Sequence, residues 1–117
     1  RVGNRLHDVC AAIEAVAQEN KYGNIKGFCG HRIGENLHEE PKVLNYVETG
    51  TPNIRLQEGL VLALEPMFTL GSSRFKILSD QWTAITSDKS FASHWEVSVA
   101  ITNGEPIVLG VGNENIE

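Results

Sequence analysis

Leu60-Val61-Leu62-Ala63-Leu64-Glu65-Pro66-Met67 is the stretch on which the fold turns. Five aliphatic residues run without interruption into a carboxylate and a proline, the pattern of a buried strand that ends abruptly. Downstream the chain keeps this character. Met67–Leu70 resumes the run, Gly71-Ser72-Ser73 turns it, and Arg74–Leu78, Trp82–Ile85 and Phe91–Thr102 read as further strands. Asn103-Gly104 between apolar runs predicts a hairpin returning through Pro106–Leu109, and the tail from Gly112 is expected to fray.

Upstream the period changes. Leu6, Val9, Ala12, Ile13, Val16 and Ala17 recur at helical spacing, predicting a helix over Asn4–Lys21 with Asn4 as its cap and a stop at Tyr22-Gly23-Asn24. Ile25–Phe28 reads as a short extended segment. Glycines at 27, 30 and 34 predict tight turns or close backbone approach. Residues 35–57 read as a long loop with a short strand near Lys42–Tyr46. One helix leading into a mostly antiparallel sheet makes the fold class α+β.

Composition sets the outer limits. A chain of 117 residues is one domain at most, and a hydrophobic share of 41% is that of a globular protein. The net charge of −5 comes without clustered Lys/Arg, which argues against a nucleic-acid partner. Two cysteines cannot staple the domain, and no apolar run approaches the roughly 18 residues of a membrane span, so a cytoplasmic chain is expected. The chain opens on Arg1 rather than Met, directly ahead of the helix, which reads as a cut edge.

Two carboxylates sit in unusual company. Glu65 closes the aliphatic run and Glu96 lies between Trp95 and Val97 in a strand. Each faces the solvated side of a half-exposed strand, or is paired, or holds a metal, since burying an isolated carboxylate is costly. His31 lies in the Gly-rich Cys29-Gly30-His31-Arg32-Ile33-Gly34, and His38 precedes Glu39-Glu40-Pro41; each is a surface histidine or a ligand. Imidazole with carboxylates suits Zn, Mn, Fe or Co, and the lack of a Cys-x-x-Cys pair argues against a structural zinc site. Cys10 and Cys29 read as small buried hydrophobes; a Cys29–His31 nucleophile pair would lack a third orienting group. Trp82 reads as core or as a pocket wall, with core favoured by composition.

Taken in order, Cys29–Gly34, His38–Pro41, Leu64–Met67, Gln81-Trp82-Thr83 and His94-Trp95-Glu96 resemble the C-terminal half of type I methionine aminopeptidases. The likeness runs from about Gly3 to Leu109. Gly-His-x-Ile-Gly followed by His-Glu-Glu-Pro sets it apart from proline dipeptidases and creatinase-like relatives of the same pita-bread fold. The resemblance implies that residues 1–117 are a single partial domain, the C-terminal lobe of that fold with a curved, mostly antiparallel sheet. It implies removal of the initiator methionine from nascent polypeptide N-termini by hydrolysis assisted by two divalent metal ions (Co, Mn, Fe or Zn). By motif, His31, Glu65 and Glu96 resemble metal ligands, with Glu96 bridging and Glu65 also the proton shuttle. His38 resembles the histidine that contacts the substrate backbone, and Leu37 and Trp82 resemble the walls of the methionine pocket.

The likeness also marks what this chain does not supply. Two aspartate ligands and another substrate histidine of such a site fall on segments N-terminal to anything present here, so the missing N-terminal lobe is an expected partner and the chain alone is expected to be inactive. Arg32 stands where the pattern has glycine, a position that would be strained if it required positive φ. Val97 replaces a common histidine that would orient a ligand. The alternative reading is a non-catalytic half-fold that binds peptide N-termini or another protein. A homodimer completing its own site is disfavoured, because neither copy has the aspartates.

Overall fold

A computed structural model describes residues 1–110. Helix α1 (Leu6–Glu19) is followed by β1 (Gly23–Asn24), β2 (Gly30–Ile33), β3 (Glu39–Val43), β4 (Val61–Leu64) and β5 (Met67–Thr69). Then come β6 (Phe75–Ile77), β7 (Ala84–Thr86), β8 (Ala92–His94), β9 (Val97–Ala100) and β10 (Ile107–Leu109). They form a five-stranded sheet in the order β10-β9-β4-β2-β3, a three-stranded sheet β1-β5-β8 and the hairpin β6-β7. Every strand pair in register is antiparallel. The α+β expectation therefore holds.

The helix begins two residues later than its periodicity predicts, and Asn4 does not cap it. Its first turn is closed from elsewhere: the Leu6 N–H donates to the Ile54 carbonyl at 2.9 Å and the His7 N–H to Asn53 Oδ1 at 2.9 Å. Asp8, at the third helical position, accepts from the Arg5 N–H at 2.7 Å. The buried stripe is also narrower than expected. Leu6, Cys10 and Ala17 are buried, Val9 and Ile13 partly so, whereas Ala12 is exposed and Val16 is 47% exposed. Leu6 and Cys10 pack with Val43, Leu56, Leu62 and Ile101, so the helix covers one face of the five-stranded sheet.

Gly30 is the glycine that the packing requires. A Cβ there would fall into the backbone carbonyl of Ala63, where β2 and β4 run side by side. The short strand expected near Lys42–Tyr46 starts earlier, at Glu39, and the extended residues Gly23–Asn24 precede the predicted Ile25–Phe28. The Asn103-Gly104 hairpin forms and is tied by Thr102 Oγ1, which accepts from the Gly104 N–H and donates to the Glu105 carbonyl. The expected tail from Gly112 lies outside the described residues.

One difference matters for function. The predicted strand Phe91–Thr102 is two strands, β8 and β9, and β4–β5 breaks at the same level. β4 pairs with β9 in the five-stranded sheet, ending at Leu64↔Val97; β5 pairs with β8 in the three-stranded sheet, starting at Met67↔His94. Both strand pairs thus leave one sheet for the other together, across Glu65-Pro66 and Trp95-Glu96. The Trp95 N–H donates to the Pro66 carbonyl at 3.2 Å, so the register carries through the break.

Candidate metal centre

Continuing that register sets Glu65 directly opposite Glu96. Two carboxylates facing each other across antiparallel strands repel unless something between them carries positive charge. His31 comes from the neighbouring strand, opposite Ala63, on the same face as Glu65 by strand alternation. One nitrogen or oxygen from each of His31, Glu65 and Glu96 lies within 4.8 Å of the others, the one such His/Cys/Asp/Glu group among the described residues. His31 is buried, Glu65 half-buried and Glu96 exposed, so the group opens to solvent on one side.

The histidine is held ready to ligate. Its Nδ1 lies 3.0 Å from the Arg32 carbonyl, which can only accept, so Nδ1 carries the proton. Nε2 is left unprotonated in that tautomer and stands 3.7 Å from Glu65 Oε1. Fixing one ring nitrogen to orient the other is the usual arrangement of a metal-binding imidazole. The Glu65 carboxyl is pushed up from 4.5 to about 7, first by burial, then by its hydrogen bond to Glu96 and that group's charge; His31 opposes the rise. A proton held between two carboxylates is what a divalent cation would displace. The donor set of one imidazole and two carboxylates fits such an ion.

His38 stands beside this group, its ring centroid 4.2 Å from that of His31, at the end of the bend between β2 and β3. A cavity of about 290 Å³ opens there, lined by Cys29, His31, His38, Glu39 and Lys42 among others. Burial pushes the Cys29 thiol up, the opposite of an activated nucleophile. Leu37 and Trp82 stand apart from this packing: Leu37 is 67% exposed, and Trp82, 88% exposed, sits in the turn of the β6–β7 hairpin, where Asp80 accepts from the Trp82 and Thr83 N–H groups. The core position that composition favours for Trp82 is thereby corrected.

Arg32 does not have positive φ, so the residue standing for glycine is unstrained. Its side chain points away from His31 and meets Glu39 Oε2 at 3.7 Å. Sequence reasoning missed Asn45. Its side chain is fully buried, and its Nδ2 donates to the Glu65 carbonyl at 3.1 Å. The signal was available, as a lone amide inside Val43-Leu44-Asn45-Tyr46-Val47.

Comparison with known proteins matches this arrangement to a family. The chain is 43% identical over 109 residues to a methionine aminopeptidase of Borreliella burgdorferi, covering 93% of this chain and 43% of that protein. It is 44% identical over 117 residues to methionine aminopeptidase 1 of Mycobacterium tuberculosis, covering 95% and 44%. Crystal structures of methionine aminopeptidases from Thermotoga maritima and Rickettsia prowazekii superpose with TM-scores of 0.85 and 0.84 at 35% and 32% identity. Each superposition covers 92% of this chain, and 43% and 44% of the respective structures. The chain thus spans less than half the length of the relatives it matches, and its sheet and helix are part of their pita-bread fold. The family model of metallopeptidase family M24 matches residues 1–103, a span that contains His31, Glu65 and Glu96 alike, and by that match this chain belongs to metallopeptidase family M24.

Proposed function

We propose that this chain is the C-terminal portion of a methionine aminopeptidase catalytic domain and carries the histidine and glutamate side of its metal site. The observation that supports this most directly is the convergence of His31, Glu65 and Glu96 across three neighbouring strands, with the two carboxylates opposed in register. In this reading the complete site takes two divalent ions, from Co, Mn, Fe or Zn. His31, Glu65 and Glu96 would be the ligands this chain supplies, with Glu96 shared between the two ions, and the aspartate ligands would come from the N-terminal lobe. Bound divalent ions supply Lewis-acid polarisation of the scissile carbonyl and an anchor for the free α-amine.

The chain's own residues do the rest. Glu65, half-buried beside His31 and Glu96, would serve as the proton shuttle of the complete site. His38, packed on the His31 ring at the cavity mouth, is placed to hydrogen-bond the substrate backbone beside the scissile amide. Leu37 and Trp82 present apolar surface for the methionine side chain. The substrates are N-termini of nascent polypeptides, met in the cytoplasm; no helix among the described residues is long and apolar enough to cross a membrane.

Titration with Mn²⁺ by calorimetry tests the reading. The chain is expected to bind one ion weakly, and His31→Ala to weaken that by about tenfold or more. Hydrolysis of Met-Ala-Ser-type peptides by the chain alone should be undetectable. Two tight sites, or robust turnover dependent on Glu96, would overturn the division of the site between two lobes. The second reading, a non-catalytic binder of peptide N-termini, is supported by the exposure of Leu37 and Trp82 and predicts peptide affinity that persists without metal.

A further inference from the structure

We propose that Asn45 is a positioning residue for the metal-side carboxylate of Glu65, with Asn24 as its strut; the inference rests on the metal-site reading above. The place it acts is the sheet switch. Leu64 is the last β4 residue in the five-stranded sheet and Met67 the first β5 residue in the three-stranded one. Between them Pro66 has no N–H to donate, so the strand is held there by fewer ladder bonds than elsewhere. The Pro66 carbonyl is taken by the Trp95 N–H, and the Glu65 carbonyl is taken by the Asn45 side chain.

That single bond fixes the main chain from which the Glu65 carboxylate hangs. Glu65 must keep its side chain opposite Glu96 and toward His31, and the bond from Asn45 ties down the carbonyl of that same residue. Asn45 is built for this one contact. It is fully buried, its Oδ1 has no partner, and its own carbonyl accepts from Asn24 Nδ2 at 2.7 Å. The chain Asn24–Asn45–Glu65 therefore runs from the strand β1 through the segment after β3 to the switch, crossing both sheets. Burying an amide with an unsatisfied oxygen is unfavourable. Its presence here, where an aliphatic side chain would fill the space, points to the donor as the reason for it.

The experiment compares the chain with Asn45→Asp, which keeps the shape and replaces the donor by an acceptor, and with Asn24→Ala, which removes the strut alone. Three quantities are measured: Mn²⁺ affinity by calorimetry, the urea midpoint, and hydrogen exchange at the Trp95 amide. Asn45→Asp is expected to weaken Mn²⁺ binding about tenfold or more under conditions where the variant is fully folded. The Leu6 amide, bonded to the Ile54 carbonyl at the start of α1, should keep its protection while Trp95 loses it. Affinity within about twofold of the parent chain would overturn the proposal, whatever the urea midpoint, since a structural role alone lowers only the midpoint. Should Asn45→Asp not fold, Asn24→Ala decides by the same criterion. If the parent chain does not bind Mn²⁺, the metal-site reading fails on its own. The Trp95 amide then decides for Asn45: loss of protection confined to the switch supports the positioning role, and unchanged protection overturns it.

Discussion

The helix-covered face of the five-stranded sheet and the region around β5–β8 draw on the same kinds of residue and place them in opposite environments. Leu6, Leu56, Leu62 and Val43 are sealed between α1 and the sheet. Leu70, Trp82 and Phe91 are at least as apolar, and stand largely in solvent. The difference lies in topology: one sheet face has a helix to cover it, whereas the turn of the β6–β7 hairpin, which carries Trp82, and the positions of Leu70 and Phe91 have no layer over them among the described residues. The first set holds the chain together. The second contributes little to its folding, so any value these side chains have comes from contact with something else, which for Trp82 the proposed function identifies as substrate.

The widest test of this contrast removes one large side chain from each region. Leu62→Ala is expected to cost about 2–5 kcal/mol by urea denaturation, because Leu62 is buried against the helix. Trp82→Ala, despite deleting a larger group, should stay within about 0.5 kcal/mol. Comparable losses would break the comparison. Gly30→Ala sharpens it from the backbone side. A Cβ aimed at the Ala63 carbonyl must push β2 away from β4, for an expected loss of about 1–3 kcal/mol together with weakened Mn²⁺ binding, since the same displacement carries His31 from Glu65.

The smallest effect is the most specific to the site. Glu65 has an ordinary value of 4.5 and is pushed up to about 7, chiefly by burial and by Glu96. Between these values the folded chain holds a proton that the unfolded chain has released, so the slope of stability with pH is negative there. The contribution is complete below about pH 4.5 and is lost as the pH rises through about 7 in the metal-free chain. Glu65→Gln should flatten that slope, as followed by urea midpoints across pH 4–8. Mn²⁺ affinity of the parent chain should rise over the same window, because the ion displaces the proton. A pH-independent midpoint in the parent chain would mean that the two carboxylates do not share a proton.

Much of this architecture was legible in local pattern, and the gaps have a common cause. The helix, the strands and the hairpin at Asn103-Gly104 follow from period and turn chemistry. Phe91–Thr102 reads as one strand because alternation records which face a residue takes, and says nothing of a change of partner sheet when the register is unbroken. The cap of α1 was misassigned because its acceptors, Asn53 and Ile54, lie nearly fifty residues away. Trp82 was misplaced because hydrophobicity predicts burial only where another layer exists to bury against. At the site, His31, Glu65 and Glu96 were marked by residue type and by motif, whereas the fact that Glu65 faces Glu96 appears only when two separate strand pairings are placed end to end.

The borrowed cap makes the helix dependent on a distant segment of the chain. The Leu6 and His7 N–H donors of its first turn are satisfied by Ile54 and Asn53, and the Leu56 N–H in turn bonds the Asn4 carbonyl. A short helix gains little from its own propensity in water. A peptide of residues 6–19 alone is therefore expected to be largely unfolded, and in the whole chain the helix start and the segment 53–56 hold each other, so loosening either is expected to loosen both.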